Sequence, residues 1–96
     1  MNTSEKYNAI SDCLVEDMDG ELLVYNPSTA ATVHLNGPSS VVWKLCDGQN
    51  TVQAIIDLLL ETYPGQAEQI PGDVADVIKE LLENKIIESV PASEVS

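Results

Sequence analysis

Alternation of apolar and polar residues along the first half of the chain predicts three short strands. The first two lie in the string CLVEDMDGELLVYN, on either side of Asp19 and Gly20, a pair that favours the positive φ angles of a two-residue hairpin turn. After the turn signal NPST, the string AATVHLN places three apolar residues on one face and two polar residues on the other: Ala31, Val33 and Leu35, and Thr32 and His34. The pattern therefore predicts a β-hairpin followed by a third, half-buried strand.

Helical spacing replaces this alternation after the turn GPSS. Ser39 or Ser40 can cap a short first helix that ends at Gly48. Thr51 can cap a second helix, VQAIIDLLLETY, which Pro64 ends. The string DVADVIKELLENK repeats apolar residues at i, i+3, i+4, i+7 and i+8, which predicts a third, amphipathic helix, and IIESV is expected to be a short extended segment. The fold class predicted is α+β, a three-stranded antiparallel sheet followed by three helices.

The chain has the length of one domain. At 96 residues it can bury roughly 60–65% of the surface of its unfolded chain, so one modest core is expected. The patterned part, residues 10–90, is predicted to form this domain. Residues 1–9 are polar and unpatterned and residues 91–96 are polar and acidic, so both ends are expected to be loosely held.

The charge is strongly acidic, with four Lys and Arg against sixteen Asp and Glu, a formal net charge of −12. Such a field repels phosphate backbones and anionic lipid surfaces, so nucleic acids and membranes are not expected as partners. It either keeps the protein soluble or favours a basic or neutral partner surface. The sequence has no long apolar run and its first residues do not resemble a secretion signal, which predicts a cytoplasmic protein.

No known catalytic or cofactor-binding signature is present in the sequence. His34 is the only histidine and is expected at a strand surface. Cys13 and Cys46 are far apart and form no C-x-x-C pair, so both are interpreted as small core residues. The string EDMDGE is too short for a calcium loop, and Trp43 is expected to pack in the core. The sequence therefore predicts no catalytic residue, no metal site and no cofactor.

Three other functions were weighed against the sequence. A winged-helix DNA reader needs several basic contacts to phosphate, and the basic residues are only four lysines. An acidic carrier protein would need a serine at a helix start, for which Ser39 and Ser40 are the candidates, but the usual D-S-L context is absent. A general protein-interaction domain of unknown partner is the remaining alternative.

The strings DGELLVYNPSTAATVHLNGPSSVVWKLCDGQNTVQAIIDLL and DVADVIKELLENKII resemble the PqqD family. Its members are small peptide chaperones of pyrroloquinoline quinone biosynthesis and the related recognition elements for ribosomally synthesised precursor peptides. The chain departs from the family pattern at two positions. An aromatic residue is frequent where this chain has Val33, and a glycine is frequent where it has Lys85.

The resemblance implies a winged-helix-like domain without catalytic activity. Such a domain binds the leader region of a precursor peptide by β-strand addition and presents it to a modifying enzyme, such as a radical-SAM protein, a protease or a cyclase. In the family the leader lies beside the third strand and packs against the third helix. Transferred to this chain, the peptide-binding residues would come from the strand and from the helix: Thr29, Ala30, Ala31, Thr32, Val33, His34 and Leu35, and Asp73, Asp76, Val77, Glu80, Leu81 and Asn84.

Overall fold

The computed structural model describes residues 4–90, which form two three-stranded antiparallel sheets and three α-helices. The strands are β1 (Lys6–Ala9), β2 (Leu14–Met18), β3 (Glu21–Asn26), β4 (Ala31–Leu35), β5 (Asp47–Thr51) and β6 (Ile87–Ser89). The helices are α1 (Gly37–Lys44), α2 (Val52–Thr62) and α3 (Ile70–Glu83), with a short 3₁₀ turn at Pro64–Gln66. One sheet has the order β2-β3-β4 and the other has the order β5-β1-β6.

The sheet β2-β3-β4 contains the three predicted strands. Asp19 and Gly20 form the hairpin turn with φ angles of 56° and 89°, as the Asp-Gly pair predicts. Alternate residues of β3 and β4 are buried, so one face of this sheet covers the core. The predicted α+β class, the hairpin and the strand that follows it are confirmed.

The second sheet differs from the expectation for the N-terminus. Residues 6–9, expected to be loosely held, form β1 between β5 and β6, and Tyr7 is buried. β6 matches the extended segment expected for IIESV, but β5 was not expected. Both unexpected strands are mostly polar and pair through their backbones, so they lack the apolar alternation that identifies a strand from sequence. The expectation for residues 91–96 lies outside the described residues.

Two helix starts also differ from the predictions. Asn36, not Ser39 or Ser40, caps α1: its Oδ1 accepts a hydrogen bond from the Ser39 amide at 3.0 Å. The helix ends at Lys44, well before Gly48. The helix α3 begins at Ile70, three residues before the predicted start, with a proline in its first turn. Thr51 caps α2 as predicted, since its Oγ1 accepts from the Ala54 amide at 3.1 Å.

The core lies between the inner face of β2-β3-β4 and the three helices. It is filled by aliphatic side chains, and the largest that are fully buried include Leu35, Ile55, Ile78 and Leu81. Cys46 is buried among them, Cys13 packs against them, and Trp43 is partly buried against the same cluster, as the sequence predicts. Aliphatic burial of this kind is the main stabilising term for a domain of this size.

Lys85 ends α3 in a conformation that usually belongs to glycine. Its φ is 59°, its amide donates to the Leu82 carbonyl at 3.1 Å, and the next amide, of Ile86, donates to the Leu81 carbonyl at 2.9 Å. These two bonds define a Schellman motif, and the accompanying apolar contact comes from Leu81 and Ile86, which are both fully buried. The departure from the family's glycine therefore leaves the helix end intact but places an L-residue in the left-handed region.

Replacing Lys85 by glycine is expected to raise the free energy of unfolding by about 0.5–1 kcal/mol, because glycine adopts positive φ without steric cost. Chemical denaturation measures this change. The matched control is Asn84→Gly, one residue earlier at φ −93°, which is expected to destabilise the protein. A Lys85→Gly protein that is less stable than the parent would contradict the backbone argument.

Candidate functional site

The outer edge of β4 is the first feature of the candidate site. β4 lies at one end of the order β2-β3-β4, and within residues 4–90 no strand pairs with its outer side. It runs for five residues, with Thr32 and His34 exposed and Val33 and Leu35 buried. An edge strand of this kind leaves backbone donors and acceptors available to an extended peptide.

The register identifies which amides of β4 are available. Met18 and Glu21 close a two-residue turn, so they form a hydrogen-bonded pair, and such pairs recur at every second residue. Alternate residues of the central strand β3 face opposite neighbours, so Leu22, Val24 and Asn26 direct their backbone groups to β4. Their partners there are Leu35, Val33 and Ala31.

Thr32 and His34 consequently direct their N–H and C=O groups to the free edge. The Ala31 amide faces β3 and also lies 3.3 Å from Thr29 Oγ1 in the preceding turn. The outer edge of β4 thus offers two backbone N–H donors and two backbone C=O acceptors, one of each from Thr32 and from His34.

The helix α3 runs alongside β4 in the opposite direction. Asn26, which pairs with the first residue of β4, donates from Nδ2 to the Lys85 carbonyl at the C-terminal end of α3, at 2.6 Å. At the other end, Asn36, which directly follows β4, lines a cavity together with Asp73 and Val77 from the N-terminal half of α3. The edge strand and the helix are thus linked at one end through Asn26 of β3 and adjoin the same cavity at the other end, and the space between them is called the groove.

The cavity at the end of this groove has a volume of about 420 Å³. It is lined by residues of the first turn of α1, the C-terminal part of α2 and the N-terminal half of α3, and includes Val42, Leu59, Tyr63, Ile70 and Val74. Seven of its twelve lining residues are apolar, and the other five are Asp73, Asp76, Asn36, Ser39 and Gln66, so about half of its exposed surface is polar. A cavity that combines an apolar floor with several polar groups is typical of a ligand site.

The charge around the groove is negative. Asp73, Asp76 and Glu80 are exposed on α3. At the edge strand, His34 Nε2 lies 2.8 Å from Glu21 Oε1, with both side chains about half exposed. This is the single contact between a basic side chain and a carboxylate within residues 4–90, so the carboxylates of α3 have no basic partner among those residues and remain available to a cationic ligand.

The residues that the resemblance implicates fall into different environments. Thr29 and Ala30 are exposed in the turn before β4. The side chains of Val33, Leu35 and Leu81 are buried in the core and therefore cannot contact a ligand at the surface. Val77 is half-buried in the cavity lining. Asn84 is the C-cap of α3, and its Nδ2 donates to the Glu80 carbonyl at 2.9 Å.

Sequence reasoning missed most of the cavity. Tyr63 is the last residue of the predicted second helix, Gln66 and Ile70 fall between the predicted second and third helices, and the sequence prediction does not identify Asn36 as a cap. Asn36 had a local signal, because an Asn before Gly-Pro at the start of a helical pattern is typical of an N-cap. The other residues had none, since they meet only when the three helices pack together.

Burial raises the pKa of the Cys46 thiol to about 12 and also raises the pKa of the Cys13 thiol, so both are protonated at neutral pH and are poor nucleophiles. Residues 4–90 contain no group of three or more His, Cys, Asp or Glu side chains that could hold a metal ion. In the same range, none of the helices has the length and hydrophobicity that a membrane span requires.

Comparison with known proteins identifies a family and a similar fold. The model of the family described as coenzyme PQQ synthesis protein D (PqqD) matches residues 21–87. The fold is similar to a solved structure of TbiB1 in complex with the TbiA(beta) leader peptide: the TM-score is 0.72 at 17% identity, over 84% of this chain and 94% of that chain. No curated protein matches the sequence. The matched region contains β3, β4 and all three helices, which are the elements of the candidate site.

Proposed function

Because the chain belongs to the PqqD family, we propose that it is a peptide chaperone that binds the leader region of a ribosomally synthesised precursor peptide and presents it to a modifying enzyme. The observation that carries the proposal is the free outer edge of β4 with α3 alongside it. TbiB1, whose fold is similar, was solved with a leader peptide. We place this activity in the cytoplasm.

In the proposed complex the leader adds as a fourth strand beside β4. The backbone groups of Thr32 and His34 supply the hydrogen bonds, and these are independent of the leader's sequence. Selectivity then comes from side-chain contacts to α3 and to the cavity. The proposed peptide-binding residues are thereby reduced to those of the turn before β4, the outward groups of β4, and the exposed or half-buried residues of α3 and its C-cap: Thr29, Ala30, Thr32, His34, Asp73, Asp76, Val77, Glu80 and Asn84.

We further propose that the chain performs no chemistry itself and that the modifying enzyme, such as a radical-SAM protein, a protease or a cyclase, supplies it. The protonated thiols and the surface position of His34, the only histidine, support this division. Incubating the purified chain with the precursor peptide alone should give no new product mass. A product would show that the chain itself catalyses a reaction, but it would not contradict the binding of the leader.

The carrier-protein alternative is weakened by the positions of its candidate serines. Ser40 is buried, and its Oγ donates to the Gly37 carbonyl at 2.7 Å. Ser39 is half-buried beside the Asn36 cap. Attachment of a phosphopantetheine arm to the Ser40 hydroxyl would require the first turn of α1 to open. Mass spectrometry after incubation with a phosphopantetheinyl transferase is expected to show no adduct.

Amide hydrogen exchange tests the proposed binding mode. A leader peptide from a precursor identified near the gene of this chain is added to saturation, and the exchange of each β4 amide is followed by NMR. We expect Thr32 and His34 to gain protection on binding, while Val33, whose amide already faces β3, serves as the internal control. A leader that binds without protecting Thr32 or His34 would overturn strand addition at this edge.

The acidic flank of α3 provides a second test. Replacing Asp76 and Glu80 by serine is expected to weaken the binding of a leader with Lys or Arg at the facing positions, by no more than about 1 kcal/mol per exposed pair and less at high salt. The matched control is Asp57 and Glu61 on α2, which are exposed and have the same i, i+4 spacing. Equal affinities for the two double variants at low salt would indicate that the flank is only a solvated face.

A further inference from the structure

The side of the sheet β2-β3-β4 that points away from the core is called the outer face. Residues that pair directly across neighbouring strands lie on the same face of a sheet, so the register defines its members. They come from all three strands: Leu14, Glu16, Met18, Glu21, Leu23, Tyr25, Thr32 and His34. None of these residues is buried, so the outer face is open to solvent along all three strands.

Four apolar side chains form a patch on the outer face. Leu14 lies directly opposite Tyr25. Met18 is diagonal to Leu23, because Leu23 pairs with the residue two positions before Met18. Leu14 is 62% exposed and Met18 is 39% exposed. The pair with Tyr25 accounts for Leu14 within the sheet, but Met18 lies opposite Glu21 and has no apolar partner directly across from it. Neighbouring apolar side chains with this exposure are typical of a surface that another protein covers.

The surroundings of the patch are acidic. Glu16 lies between Leu14 and Met18 on β2, and Glu21 lies opposite Met18. The strands β2, β3 and β4 contain no Lys or Arg. A partner that covers the patch is therefore attracted most if Lys or Arg borders its own apolar surface. A second copy of this chain, which also has a net charge of −12, would bring like charges together.

The area of the outer face also argues against a pairing of two copies. Three strands of about five residues cover about 14 Å by 17 Å, or about 240 Å², at the spacings of a β-sheet. A stable interface needs roughly 800 Å² from each partner, so this face alone supports only a weak contact. A leader strand beside β4 would widen the same face, since Thr32 and His34 lie on it at that side. A partner on the outer face can therefore contact the chain and the leader together.

We infer, on the basis of the proposed function, that the outer face is the docking surface for the modifying enzyme. The enzyme covers Leu14, Met18 and Tyr25 with an apolar surface that Lys or Arg borders. The three helices pack on the opposite face of the sheet, so an enzyme in this position leaves α3 and the cavity clear. The leader strand at β4 extends the area that the enzyme contacts, so the enzyme binds more tightly when the leader is present.

Substitutions of the apolar patch test this inference. The affinity of the full chain for the modifying enzyme encoded near its gene is measured by calorimetry, with and without saturating leader peptide. The double variant Leu14→Ser with Met18→Ser is expected to bind the enzyme at least about tenfold more weakly, because two apolar contacts are lost. The matched control is Leu58→Ser, since Leu58 is 42% exposed but lies on α2. The control should keep its affinity for the enzyme, and both proteins should keep their affinity for the leader.

Reversal of one charge tests the acidic surroundings without removal of an apolar side chain. Glu16 is exposed, and Glu16→Lys is expected to weaken enzyme binding about two- to fivefold, with a smaller effect at high salt. Asp57→Lys, at an exposed position on α2, is the control and should keep the affinity. Equal affinities of these two variants at low salt would overturn the basic border inferred for the enzyme.

The outcomes distinguish this inference from the proposed function. If the double variant binds the enzyme as tightly as Leu58→Ser, the enzyme does not dock on the outer face. Loss of both enzyme and leader binding in the double variant would also overturn the inference, because the patch would then act through the leader site. A parent chain that dimerises in sedimentation, with a monomeric double variant, would assign the face to a second copy instead. Enzyme binding that depends on Leu14 and Met18, in a chain to which the leader does not bind, would support the docking surface and overturn the proposed function.

Discussion

Replacing Asn26 by alanine is expected to lower the free energy of unfolding by about 2 kcal/mol and to weaken leader binding severalfold. The Asn26 side chain is 4% exposed and makes two hydrogen bonds. Its Nδ2 donates to the Lys85 carbonyl at 2.6 Å, and its Oδ1 accepts from the Ser28 amide at 2.9 Å. Alanine removes both bonds and detaches the end of β3, which pairs with the start of β4, from the end of α3, so the edge strand and the helix are less firmly fixed relative to each other.

A second substitution separates the two bonds. Asn26→Asp keeps the acceptor for the Ser28 amide but places a carboxylate against the Lys85 carbonyl, so it is expected to be at least as destabilising at neutral pH. Ser28→Ala is the control, because the Ser28 bond uses its backbone amide, which this substitution retains. Urea denaturation and leader titration measure both effects. An Asn26→Ala protein as stable as Ser28→Ala would show that the bond to Lys85 contributes nothing.

The sequence predicts those strands and helices whose buried residues recur with a regular period. β3 and β4 were identified because alternate residues face one core, and α3 was identified because its apolar residues repeat with the period of a helix. The missed strands lack this signal. β1 buries only Tyr7, β5 has no fully buried residue, and both form by pairing with segments that are distant in sequence, such as Lys6 with Thr51 and Tyr7 with Ser89.

The candidate site also has parts that the sequence predicts and parts that it does not. The edge strand and the facing helix could be anticipated from the family resemblance, since each is a continuous segment. The identity of the outward amides could not, because it depends on the Met18–Glu21 turn pair and on a register transmitted across β3. The cavity could not be anticipated either, because Asn36, Tyr63 and Ile70 are brought together only by the packing of three helices.

Replacing Thr32 by proline is expected to leave the fold intact and to reduce leader affinity by at least about tenfold. The Thr32 amide faces away from β3, so proline at this position removes no hydrogen bond within the sheet. It does remove one donor for the incoming strand, worth roughly 0.5–1.5 kcal/mol, and its ring occupies the space that the leader's backbone would use. Leader titration, with a thermal melt of each variant, measures the two effects separately.

The controls for this experiment come from the same sheet. Ala31→Pro removes an inward donor and is expected to lower the melting temperature, because that amide pairs with β3. Thr32→Ala changes only the side chain and should keep leader affinity. Val15→Pro removes an outward amide from β2, the opposite edge of the sheet, and should also leave binding unchanged. If folded Thr32→Pro binds the leader as tightly as folded Val15→Pro, the leader does not pair with β4. If Val15→Pro alone loses affinity, the leader pairs with the opposite edge of the sheet.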